Sequence, residues 1–161
     1  MVEKGITNYE ELLEYEKTPL DQRLKAFNTY DLIKHGASLD PDALAISYVE
    51  SGDKFDEPLQ IDYKTLMSNI NRSANLFSDL GIGPKDVVSY LLPAIPQAHY
   101  IFWGVEAAGI INPINPMLEA DTLRDILQAA GTKVLVALGE SPGIDIWQKV
   151  EQIRHDLPEL K

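Results

Sequence analysis

Residues 86–116 read DVVSYLLPAIPQAHYIFWGVEAAGIINPINP, and their order decides the fold. An apolar run rich in β-formers, 87–92, meets a turn built from Pro93 and Pro96. A helical pattern follows and stops at Gly109, and a second apolar run, 110–114, ends against Pro116. Strand, turn, helix and strand within about thirty residues is the size of one βαβ unit. Both strands are continuous hydrophobic runs, the pattern of a parallel sheet covered on both faces. The helix, predicted from about Pro96 to Ala108, has proline in its first turn, where a missing N–H is harmless. Ile101, Phe102, Val105 and Ala108 face one way, while Tyr100, Trp103 and Ala107 leave little polar surface elsewhere. Such a helix is buried on more than one side. Gly104 in its interior costs about 1 kcal/mol against alanine, which points to close backbone packing there.

Downstream, a helix is expected over about residues 119–130, with Leu123, Ile126, Leu127 and Ala130 on one face and Gly131 as its stop. A short apolar strand follows at 133–138 and a turn at 139–143. Ile146, Trp147, Val150, Ile153 and Leu157 line a final helix that Pro158 ends. Upstream lies the clearest helix. Asp62 is its N-cap, Tyr63, Leu66, Met67, Ile70, Ala74 and Phe77 make its apolar face, and Gly81 is its C′ glycine. Before it, residues 43–50 and 59–63 form the arms of a β-hairpin joined by a long polar loop. Asn8 caps a first short helix, Pro19 interrupts, and Asn28 caps a second, from the amide of Asp31, that stops around Gly36. The fold class is therefore α/β: a layered, mostly parallel sheet with helices on both faces, plus an N-terminal helix and β-hairpin. The division expected is residues 1–62 for the helices and hairpin and 63–161 for the α/β subdomain.

The 161 residues suffice for one domain with a real core. Fourteen Lys+Arg against 25 Asp+Glu give a formal net charge of −11, which would repel a phosphate backbone and argues against nucleic-acid binding. Without cysteine there is neither a disulfide framework nor thiolate chemistry. The acidic N-terminus lacks the apolar core of a signal peptide. No apolar run approaches the roughly 18 residues of a membrane span. A cytoplasmic location is the expectation.

Ligands of such sheets sit beyond the carboxyl ends of the strands, here residues 92–96, 115–118 and 139–143. Residues 139–143, GESPG, match the nucleophile-elbow pattern between a strand and a helix. The residue after the serine must donate its N–H to an oxyanion, and Pro142 has none, so Ser141 reads instead as the cap of the last helix. Residues 81–85, GIGPK, look like a phosphate loop but follow a helix and precede a strand, the reverse of the order that presents amides to phosphate. They read as a helix stop. His35, His99 and His155 show no metal-ligand spacing; His99, one turn before Trp103, is the one placed to line a pocket. Asp53, Asp56 and Glu57 read as a solvated loop. Tyr100, Phe102 and Trp103 read as core or interface, with Tyr90 and Asn115 as weak pocket candidates.

Residues 61–138 resemble the N-terminal region of the adenylate-forming superfamily, in particular the acyl-CoA synthetases (fatty-acid–CoA ligases). The resemblance is carried by IDYKTL at 61–66, NLFSDLGIGPKDVVSYLLPAIPQ, GVEAAGIINPINPMLEADTL and the strand KVLVAL. The segment NTYDLIKHGASLDPDALAI is similar to the family's opening helix and first strand. Ala94 stands where many relatives place asparagine. The resemblance implies two-step chemistry: ATP and a carboxylate give an acyl-adenylate and pyrophosphate, and coenzyme A then displaces AMP. It implies ATP, Mg²⁺ and CoA as cofactors of the parent enzyme, and a fatty acid or other apolar carboxylate as substrate. The family's phosphate loop ending in Pro-Lys-Gly should follow some distance after KVLVAL, and its adenine-binding loop, hinge and C-terminal lysine later still. No catalytic, cofactor-binding or metal residue is therefore assigned here, and the piece alone is expected to be inactive. Missing later strands would leave sheet edges open, so self-association as a homo-oligomer is expected. The rival reading is a stand-alone flavodoxin-like interaction module, although Leu92-Pro93 and Leu138-Gly139 lack the acids of a receiver domain.

Overall fold

The computed structural model describes residues 5–24, 26 and 28–160; the first four residues of the acidic N-terminus lie outside them. The chain opens with α1 (Tyr9–Glu16), α2 (Leu20–Arg23) and α3 (Thr29–Leu39). Asn8 and Asn28 cap α1 and α3, their side chains accepting from Glu11 N and Asp31 N at 2.9 and 2.8 Å. The strands β1 (Leu44–Tyr48) and β2 (Leu59–Asp62) pair antiparallel as a separate two-stranded sheet. Then α4 (Tyr63–Asp79) leads into β3 (Val87–Leu91), α5 (Pro96–Glu106), β4 (Ile110–Pro113), α6 (Ala120–Ala129), β5 (Thr132–Ala137) and α7 (Ile146–Ile153).

The second sheet is three-stranded and all parallel, in the order β4-β3-β5. Val88 and Val134 pack with Phe77 of α4 and Val105 of α5 on one face. On the other face Leu91 packs with Leu123 and Leu127 of α6 and Ile146, Val150 and Ile153 of α7. Helices thus cover both faces, as the unbroken apolar runs require. A third cluster, Ile61, Leu66 and Ile70, is flanked by Ile33, Ala45 and Trp103 and joins the hairpin to α3, α4 and α5.

Two local devices set α4. Asp62 accepts from Thr65 N at 2.7 Å, and these hydrogen bonds hold its carboxyl below the ordinary aspartate range. At the other end Gly81 has φ +80, Gly81 N donates to Ser78 O and Ile82 N to Phe77 O, both at 2.9 Å. That is a Schellman stop, completed by the contact of Ile82 with Phe77. The α4–α5 contact is as close as Gly104 foretells. A Cβ on Gly104 would lie 2.3 Å from Ser73 Cβ, 3.0 Å from Ala74 N and 3.1 Å from Ile70 O.

Three expectations about the helices need correction. The helix predicted to stop near Gly36 continues to Leu39, because the bend comes only at the Pro41 turn. The apolar face of α4 buries Ser73 and leaves Ala74 partly exposed; Ser73 sits where Gly104 lets α5 approach. Helix α7 ends at Ile153, and a 3₁₀ turn, Arg154–Asp156, carries the chain to Leu157. The four-residue helix α2 after Pro19 was not anticipated; a helix this short leaves no periodic signal.

Gly104→Ala tests the α4–α5 seam. Alanine should gain helix propensity but lose more to overpacking, typically about 1–3 kcal/mol, so denaturant unfolding should show a net loss of stability. A stabilised variant would contradict the packing described.

Candidate functional site

Helix α5 returns the chain from β3 to the neighbouring β4, and α6 carries it across to β5 on the far side of β3, so the direction of winding reverses between β3 and β5. Open α/β sheets bind ligands outside the carboxyl ends of their strands at such a switch point. Here that edge is built from Leu92 to Ile95, the Asn115 turn and the loop after Ala137.

Beside it, between the end of β3 and the first turns of α5, lies a hollow of about 450 Å³ lined by Tyr90, Pro93, His99, Phe102 and Trp103. The structure thus brings Tyr90, His99, Phe102 and Trp103 together. Phe102 and Trp103 meet edge to face, with centroids 4.6 Å apart, and Tyr100 and Trp103 also pack against the Ile61–Ile70 cluster. His99 is exposed and Tyr90 half-buried. Burial pushes the Tyr90 phenol above its ordinary range. Hollows of about 730 and 560 Å³ lie at the opposite, amino ends of β4 and β5.

The remaining candidates fall apart from this group. Asn115 is exposed and its Oδ1 accepts from Met117 N at 3.0 Å, closing a turn. Ser141 is in a tight turn, with Ile144 N donating to Ser141 O at 3.2 Å. It does not cap α7: the N-cap is Asp145, four residues on, with no side-chain cap bond. His35 and His155 are exposed, on α3 and in the 3₁₀ turn after α7. Asp53, Asp56 and Glu57 are exposed as well, and a hydrogen bond from Ser51 lowers the Asp53 carboxyl. The GIGPK loop lies at the amino end of β3. Its Gly83 N donates to Asp86 Oδ2 at 2.9 Å, and Asp86 Oδ1 accepts from Lys133 Nζ at 2.7 Å. An amide already given to a carboxylate is not offered to phosphate.

Reading the sequence missed a polar link across the buried sheet. Ser89, fully buried on β3, shares a 2.7 Å hydrogen bond with Thr132 of β5 and accepts from Asn112 Nδ2 of β4 at 3.0 Å. A lone serine inside an apolar run was its only sign.

A nucleoside triphosphate needs backbone amides or cations. At the switch-point edge α5 begins with Ile95 and Pro96 and has no side-chain cap bond. Lys149 is mostly buried, paired with Asp145 at 3.1 Å and donating to Pro116 O at 3.4 Å. Among the described residues no group of His, Asp or Glu converges to hold a metal ion. The described residues at this edge do not fit ATP or Mg²⁺.

The family profile described as AMP-binding enzyme matches residues 33–161. The chain belongs to that family. Among its relatives, the marinolic acid–CoA ligase of Pseudoalteromonas sp. is 29% identical over 152 residues, 94% of this chain and 23% of that protein. The acetoacetyl-CoA synthetase from Streptomyces lividans superposes with a TM-score of 0.74 at 27% identity, over 83% of this chain and 21% of that one. The N-terminal domain of FACL13 from Mycobacterium tuberculosis has the same fold, with a TM-score of 0.65 at 24% identity, over 78% of this chain and 30% of that one. The chain therefore spans less than a quarter of the length of the ligase it matches. None of its helices among the described residues is long and apolar enough to cross a membrane.

Tyr90 provides a check on the hollow. In a spectrophotometric titration the Tyr90→Phe variant should lose the signal of a phenol that ionises later than an ordinary tyrosine. Loss of a signal in the ordinary range would contradict the burial described.

Proposed function

We propose that these residues are framework in an ATP-dependent acyl-CoA ligase. In that reading the whole enzyme joins a carboxylate to AMP, releases pyrophosphate, and passes the acyl group to the thiol of coenzyme A. ATP, Mg²⁺ and CoA are the cofactors of the whole enzyme, and the cytoplasm is its place of work. The observation that carries the reading is the AMP-binding match over residues 33–161, on a sheet whose carboxyl edge has an apolar hollow but no phosphate cradle. The same match favours it over a stand-alone flavodoxin-like module. A fatty or other apolar acyl group rests on the resemblance to fatty-acid–CoA ligases. We place the internal boundary at Asp62, between residues 1–62, of which α3 and the hairpin pack against α4, and an α/β unit of residues 63–161.

The 161-residue chain, given ATP, Mg²⁺ and a fatty acid, should release no carboxylate-dependent pyrophosphate. Release that rises and saturates with fatty-acid concentration would overturn the framework reading.

A further inference from the structure

We draw no further inference here: the strongest candidate, the aromatic hollow between the end of β3 and the first turns of α5 lined by Tyr90, His99, Phe102 and Trp103, belongs to the site already described, and nothing in the structure shows what fills or covers it.

Discussion

The α/β half of the molecule is arranged around a strand that must satisfy both of its edges and both of its faces without water. Val88, Ser89 and Leu91 of β3 have no solvent exposure. Their backbone groups go to β4 on one side and β5 on the other, since a buried amide left unpaired costs as much as a lost hydrogen bond. Val88 faces α4 and α5, and Leu91 faces α6 and α7. The single polar side chain of the central run, Ser89, is acceptable because Thr132 and Asn112 meet its hydroxyl from the two neighbouring strands.

From that constraint the positions of the helices follow. Helix α5 must lie close on the sheet and also against α4, and Gly104 gives it room. The turn back into β4 is equally tight. A Cβ on Gly109 would lie 2.7 Å from Asp86 O and from Ile82 Cγ2, while Ile110 N donates to Asp86 O at 2.9 Å. Asp86 therefore gathers the amino ends of all three strands: its carbonyl takes β4, its carboxylate takes Lys133 at the start of β5, and the Gly83 amide steadies the approach to β3. This crowding at the amino end makes GIGPK a structural turn. The aromatic hollow lies at the other, carboxyl end of the sheet.

Much of this was legible in the residues. Long apolar runs, the 3.6-residue stripe of α4, and Asp62 and Gly81 at its ends announce strands and helix directly. Gly104 was readable because a glycine inside a helix has a cost that something must offset. What stayed hidden was set by tertiary contact. Ser73 rather than Ala74 is buried because of where α5 lies, and Ser89, Thr132 and Asn112 are far apart in sequence. The site was less legible than the fold. Tyr90, His99, Phe102 and Trp103 could each be suspected, but only the return of α5 over β3 shows that they share one hollow. Ser141 reads as a cap one turn too early, because helix start signals around Pro142 and Asp145 compete.

Belonging to the AMP-binding family over residues 33–161, yet covering 23% of the matched ligase, the chain has the architecture of its relatives without an evident grip on nucleotide. A carboxyl edge that offers aromatic rings, a buried and already paired Lys149, and a proline at the start of α5 has little to hold three phosphates. Isothermal titration of ATP with Mg²⁺ into the 161-residue chain tests this most directly. The account predicts no saturable heat; tight binding at a defined stoichiometry would contradict it.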